Sequence, residues 1–432
     1  MTAVLDTAVP GTDTSTPTPL AEPVAFDPGP APGITSLAPV VGGDQTVRTA
    51  SGAQVRYANF DYAASSPALT EVAEVFTQAL GQYASVHRGA GQFSQITTAR
   101  YEQARETVRR FLGGRADDTV VFTRNTTDAI NLAAHVLPAD GDVVVLDIEH
   151  HANLLPWQRT GRARVVVAQP TFAQTVEALD AELARKPAAL LAVTAASNVT
   201  GEVLPIRTLT ALAHRHGARI LIDAAQLVSH RPISLAGYGV DYLVFSGHKV
   251  YAPFGAGVLI GRKDWLDDAP PYLVGGGAAA HVDLSDGADW HTGPARHEAG
   301  SPNVLGAVAI AAATEAIRGI GFELIGYHER DLLTRLDEGL AELDGVTPLQ
   351  IFDDLHDRVG IAGFSVDGRP AREVAEYLSD HHGIGVRDGK FCAHPLLTRL
   401  GHPDGAVRVS FGLGSSSEDV DRLLAALAEF LG

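Results

Sequence analysis

From Thr119 onward the chain alternates short, almost unbroken apolar runs with amphipathic stretches. The runs are TVVFTR (119–124), VVVLDI (143–148), ARVVVA (163–168), LLAVTA (190–195), ARILIDA (218–224), YLVFSG (242–247) and GVLIG (257–261). A strand with one wet face alternates apolar and polar residues, whereas a strand covered by helices on both faces reads as continuous Val, Leu and Ile, as these do. Between them lie helical patterns such as IRTLTALAHRH (206–216), in which Leu209, Leu212 and Ala213 share a face and Gly217 ends the turn. Strand, helix, strand in that order predicts an α/β domain with a mostly parallel central sheet.

A helical stretch is predicted from about Val304 to Leu343, and the pattern then changes. VGIAGFSV (359–366), GIGVR (383–387) and VRVSFG (407–412) read as strands. A helix falls over Arg372–Ser379, and a last helix is opened by Ser415 with Glu418 three residues on, a capping box. These elements predict a smaller C-terminal α+β domain. The first residues, to about 44, are rich in Thr, Pro and Gly and have no apolar period, so they read as a flexible leader. The expected organisation is therefore a leader (1–44), a large domain (45–330, with 45–65 contributing to the small domain) and a small domain (331–432).

Composition narrows the function. With 432 residues and 45% hydrophobic content the chain can bury a sizeable core. Thirty-three Lys and Arg against 51 Asp and Glu give a net charge of −18, which argues against nucleic acid as a partner. No apolar run reaches signal or membrane-span length, so neither secretion nor membrane insertion is expected. The one cysteine, Cys392, has no disulfide partner in the chain, which fits a reducing cytoplasm.

In parallel sheets the ligand-binding residues sit at the carboxyl ends of strands, and four of these ends carry unusual polar groups. YLVFSG runs through Ser246 into His248 and Lys249. A lysine directly after a buried strand is expensive unless its amine is used or paired, although a surface turn would also accommodate it. ARILIDA ends at Asp223, with Gln226 just beyond, and such an acid serves either as a structural cap or as a functional partner. VVVLDI leads to Glu149, His150 and His151 without HExxH spacing or a nearby Cys, which argues against zinc. TVVFTR leads to Asn125, Thr126 and Thr127 at a helix start, which is an anion site or a plain cap. Together they meet the needs of pyridoxal 5′-phosphate: an anion site, an imidazole to stack on the ring, an acid for the pyridine nitrogen and a lysine for a Schiff base.

At this point the chain resembles the class V aminotransferase family of fold-type I enzymes, in its cysteine desulfurase and selenocysteine lyase branch. The resemblance rests on FDYAASSP (60–67), YASVHRG (83–89), NTTDAINL (125–132), EHHANLLPWQ (149–158), SNVTGEV (197–203), DAAQ (223–226), SGHKVYAPFGAGVL (246–259), GGG (275–277), HEAGSPN (297–303) and VRDGKFCAHPL (386–396). It implies that Lys249 is the Schiff-base lysine and proton shuttle, with Asp223 on the pyridine nitrogen and Gln226 on the phenolate oxygen. His150 is implied as the ring-stacking acid/base, with His151 as the alternative. Thr126, Thr127, Ser246 and His248 are implied as the phosphate cup. Ser301 would complete the cup of a neighbouring subunit, hence a homodimer in which His87 and Arg88 also cross. Asn198, Arg387 and Arg408 are implied as the substrate set, with Arg408 on the α-carboxylate.

A lone cysteine is more often a small buried hydrophobe than a nucleophile. Cys392, however, lies five residues after Arg387, where short-loop desulfurases carry their sulfur-accepting cysteine. The implied reaction takes L-cysteine to L-alanine through a persulfide on Cys392, with the sulfur passed to an acceptor protein. A selenocysteine lyase, another pyridoxal-phosphate C–S lyase, epimerase or aminotransferase, and a non-enzymatic sulfur carrier are the alternatives. The chain departs from the pattern in Lys390 and Phe391 before the cysteine, in His394 after it, and in Ser301 where Thr is commoner.

Overall fold

The computed structural model describes residues 33–432. All seven apolar runs enter one seven-stranded sheet, in the order Thr119–Thr123, Gly257–Gly261, Tyr242–Ser246, Arg219–Asp223, Leu190–Thr194, Val143–Leu146, Ala163–Val166. Six strands share one direction, and Gly257–Gly261 runs antiparallel to both its neighbours. The two-residue period of a strand divides each run between two cores. Val120, Val144, Leu191, Ile220 and Leu243 enter one buried cluster, and Val121, Val145, Ala192, Leu221 and Val244 enter another. Most positions thus meet helix rather than water, the exception being the edge strand Ala163–Val166, where Val165 is exposed, and each fully buried Val, Leu or Ile stabilises the sheet by about 1.5–3 kcal/mol.

A four-stranded antiparallel sheet follows, in the order Val346–Pro348, Ile361–Val366, Ala406–Ser410, Arg387–Gly389, over a third core that includes Leu332, Phe364, Val409 and Leu423. Ala58 and Phe60 are buried in that third core, and Ala58–Asn59 pairs in parallel with Ile384–Gly385. The run GIGVR therefore does not form one strand. Its first half pairs with Ala58–Asn59, and Arg387 starts the strand that joins the four-stranded sheet.

Three further expectations need correction. The long helix breaks into Val304–Ile320 and Phe322–Ala341, bent by 80°. Gly321, at φ +91°, lies between them in a conformation that favours glycine and cannot continue the helix. The capping box is Ser416 with Asp419, one residue later than expected, because the Ser415 hydroxyl is occupied by the backbone N–H of Gly412 at 3.2 Å. The leader does not extend to residue 44. Ile34 N donates to Ser417 Oγ at 2.9 Å, Leu37 N to the Leu413 carbonyl at 2.7 Å, and Val41 N to the Ala68 carbonyl at 2.8 Å. Residues 1–32 of the expected leader lie outside the described residues. Among the described residues no single helix is long and apolar enough to cross a membrane.

The antiparallel strand passes close to the start of the helix Thr126–Val136. A Cβ on Gly257 would stand 2.6 Å from Cα of Asn125, the residue that caps this helix by accepting from Asp128 N. Gly257→Ala should therefore destabilise the fold by about 1–3 kcal/mol, as overpacking does. Chemical denaturation of the variant against the parent checks this, and unchanged stability would show that the cap yields freely.

Candidate active site

The carboxyl ends of the central strands open onto one cavity of about 450 Å³. At one wall the helix Thr126–Val136 begins. Thr126 N donates to Ser246 Oγ at 2.7 Å and the two hydroxyls lie 2.7 Å apart, so hydroxyls gather at the positive end of a helix dipole. Thr127 and His248 line the same cavity. Burial pushes the His248 imidazole down to about 4, helped by the neighbouring Lys249 charge.

Lys249 ends the 3₁₀ turn Gly247–Lys249 that follows the strand Tyr242–Ser246 without a linker. Burial pushes its amine down to about 8; Asp223 opposes the shift and the Arg408 charge reinforces it. Asp223 closes the adjacent strand, and burial pushes its carboxyl up while the Ala225 N–H, 3.0 Å away, and Lys249 pull it back. Gln226 donates one of its two amide hydrogens to the Ala63 carbonyl at 2.8 Å.

The adjacent histidines separate. His150 lines the cavity, and its Nδ1 accepts from Ala152 N at 3.0 Å, which places the ring proton on Nε2. Burial, with Lys249 close by, holds its pKa down at about 3, so the ring stays neutral across the physiological range. His151 instead points to the cysteine segment. Its backbone N donates to the Cys392 carbonyl at 2.8 Å, and its Nε2 accepts from His394 N at 3.4 Å.

The opposite wall comes from the small sheet. Arg387 and Arg408 stand directly across from one another on neighbouring strands, a like-charge pairing that needs a counterion. Asp61 supplies it. Its Oδ1 accepts from Arg408 Nη2 at 3.0 Å, and its Oδ2 lies 3.8 Å from Arg387 Nη1. Arg408 Nη1 donates to the Asn198 carbonyl at 2.9 Å, while Arg408 Nε is buried without a partner. Asn198 and Cys392 complete this side; Cys392 is exposed and also lines the cavity.

Twelve of the thirteen residues singled out from the sequence meet here: Thr126, Thr127, His150, Asn198, Asp223, Gln226, Ser246, His248, Lys249, Arg387, Cys392 and Arg408. Ser301 does not. It is exposed on the loop before Val304–Ile320, and Arg88 Nη2 donates to the adjacent Gly300 carbonyl at 3.3 Å. The sequence reading missed Asp61, whose signal was the carboxylate inside FDYAASSP, and the lining role of Phe391 and His394.

A class V aminotransferase family model matches residues 58–423. The chain belongs to the class V aminotransferase family, whose cofactor is pyridoxal 5′-phosphate. Among relatives, a cysteine desulfurase of Klebsiella pneumoniae (strain 342) is 38% identical over 355 residues, 80% of this chain and 86% of that protein. A cysteine desulfurase of Escherichia coli (strain SE11) is 36% identical over the same length and coverage. The apo structure of cysteine desulfurase from Thermococcus onnurineus NA1 superposes with a TM-score of 0.81 at 35% identity, covering 87% of this chain and 94% of that one. An Escherichia coli cysteine desulfurase in its S-sulfonic acid form gives 0.77 at 32% identity, covering 87% and 96%. The cavity fits the cofactor: hydroxyls at a helix N-terminus suit a phosphate, a depressed lysine suits an aldehyde, and the orphaned Arg408 Nε suits a substrate carboxylate.

Only a neutral amine attacks an aldehyde, and Lys249 loses its proton near 8 rather than near the 10.5 of a free lysine. Cofactor uptake by the cofactor-free protein should therefore accelerate as pH rises through about 8 and level off above it. Stopped-flow absorbance against pH checks this; a midpoint near 10 would contradict the burial of the amine.

Proposed function

We propose that the protein is a pyridoxal-phosphate-dependent cysteine desulfurase that converts L-cysteine to L-alanine and leaves the sulfur as a persulfide on Cys392. One observation carries this reading: the only cysteine of the chain lines the same cavity as Lys249, Asp223 and the Arg387–Arg408 pair. The named relatives, all cysteine desulfurases, support it.

The roles in this reading are those the family resemblance implies, and the shared cavity supports them. Thr126, Thr127, Ser246 and His248 would hold the cofactor phosphate, Asp223 its ring nitrogen, Gln226 its phenolate oxygen, His150 its ring face and Lys249 its aldehyde carbon. When bound, the cofactor supplies an electron sink that acidifies the Cα–H bond of an amino acid. Arg408 receives the substrate carboxylate through Nε, with Arg387 alongside. Lys249, with its amine near 8, takes the Cα proton. The Cys392 thiolate attacks the substrate sulfur: the S–S bond forms, the Cβ–S bond breaks with its electron pair left on carbon, Cβ takes a proton, and Cα takes back the proton held by Lys249. Thiol plus cysteine gives persulfide plus alanine, so the step balances without an outside oxidant or reductant. An exposed persulfide can then be handed to a sulfur-acceptor protein, chemistry suited to a reducing cytoplasm.

The working unit is a homodimer in this reading: the family resemblance implies that Ser301 and Arg88 serve the neighbouring subunit, and their exposure outside the cavity of their own chain supports it. Light scattering should give about twice the chain mass of 45.4 kDa. A monomer with full activity would overturn the dimer.

Cys392→Ser should keep the cofactor's visible absorption and lose alanine formation from L-cysteine by orders of magnitude. Selenocysteine turnover should fall less, because selenium leaves without thiol attack. Mass spectrometry after L-cysteine should find one added sulfur on the wild-type Cys392 peptide, removable by a thiol reductant. Retained alanine formation in the folded serine variant would sink the assignment.

A further inference from the structure

The backbone around Cys392 is in a conformation that side chains avoid. Phe391 has φ +51° and Cys392 φ +55°, two successive non-glycine residues in the left-handed region, each at about 1–2 kcal/mol. Such a pair persists only where neighbours impose it. Asn198 Nδ2 donates to the Phe391 carbonyl at 2.7 Å, and His151 N donates to the Cys392 carbonyl at 2.8 Å. Within the turn, Ala393 N donates to the Lys390 carbonyl at 2.8 Å. The buried Phe391 ring lies against the Arg408 guanidinium, 5.2 Å from carbon to ring centroid.

Asn198 touches both ends of this arrangement. Its backbone carbonyl holds Arg408 Nη1, and its side-chain amide holds Phe391. A carbonyl oxygen only accepts, so the amide nitrogen must face Phe391, and that donor serves the cysteine segment. Arg408 thus reaches the turn twice, through the Phe391 ring and through Asn198. A carboxylate on the free Nε edge of Arg408 would fix the guanidinium plane and with it both contacts.

We infer that Asn198 is a positioning residue that couples occupancy of the Arg408 carboxylate site to the posture of the Cys392 segment, so that an α-amino acid in the cavity steadies the thiol that receives its sulfur. The sulfur part of this inference rests on the desulfurase reading; the conformational part does not. The coupling acts over a path whose residues are all buried: Arg408, Asn198 and Phe391 are each at most 7% exposed.

Amide exchange by mass spectrometry on the holoenzyme tests it, following the peptide that spans residues 388–396 with and without L-alanine as the probe carboxylate. In wild type, L-alanine should slow exchange there several-fold. Asn198→Ala should raise the basal exchange by about five- to tenfold, the effect of losing one buried hydrogen bond, and abolish the response to L-alanine. Asn198→Asp, which keeps the volume but offers no donor, should behave alike and covers the case in which the alanine variant fails to fold. Both variants should lose at least tenfold more alanine formation from L-cysteine than turnover of selenocysteine. Variants that exchange like wild type, or that keep the L-alanine response, would overturn the coupling. Equal loss with both substrates would overturn it too and make Asn198 a plain substrate contact. A wild type that forms no alanine from L-cysteine would defeat the desulfurase reading, with the exchange arm still deciding the coupling.

Discussion

A cationic side chain at the end of a strand covered on both faces is among the most expensive things a fold can hold, and the site is arranged around that constraint. Burying a charge costs several kcal/mol unless it is paired or neutralised. Lys249 meets the cost both ways: its amine is pushed down to about 8, and Asp223 stands at the end of the next strand. The neighbours conform. His150 and His248 both stay neutral beside it, because burial penalises their charged forms and the Lys249 charge adds to that penalty. The packing that makes the sheet stable also buries the Lys249 amine at its carboxyl edge, and that burial is what gives the lysine a usable amine near neutral pH.

The opposite wall obeys a second electrostatic demand, and it ties the two sheets together. Arg387 and Arg408 sit in register on adjacent strands and are tolerated because Asp61 reaches both from a distant part of the chain. The docking that brings this wall over the central sheet is polar as well as apolar. The buried carboxyl of Glu202 accepts from Ile351 N at 2.9 Å and Phe352 N at 2.8 Å. Gly201, at φ +80°, lets the backbone approach so closely that a Cβ would stand 2.6 Å from the Ile361 carbonyl. Glu329 pairs with both His230 and Arg231, again joining the two sheets' surroundings. The cavity is the space left between two surfaces locked at several points, which is why residues far apart in sequence can be held within hydrogen-bond distance across it.

What was legible in the sequence follows from the same physics. Seven strands announced themselves because burial on both faces, partial only at the edge strand Ala163–Val166, removes polar residues from the run, and their polar ends stood out by contrast. The helix Gln92–Phe111 did not, since its buried positions include Ser94, Thr97 and Thr107, which blur the apolar stripe. The hairpin Ala279–Asp283 with Gly287–Trp290 is mostly exposed, so no alternation marks it. The break at Gly321 was hidden by apolar residues on both sides, where a single glycine reads as tolerable inside a helix. Asp61 on Arg408, and Asn198 on Phe391, bridge 347 and 193 residues of chain. No local pattern encodes contacts of that span.

Cys392 shows why position outweighs composition. As one thiol among 432 residues it had no distinguishing chemistry, and buried in a core it would have been inert. The structure gives it two neighbours at once, the cavity that it lines and the solvent to which it is exposed. The sulfur relay proposed for Cys392 needs both, because a fully enclosed thiol could accept sulfur but not release it, and one out on the surface would never meet the substrate. The left-handed turn at Phe391 and Cys392 holds the thiol at that border, and the strain it carries is the cost of keeping one side chain in two environments.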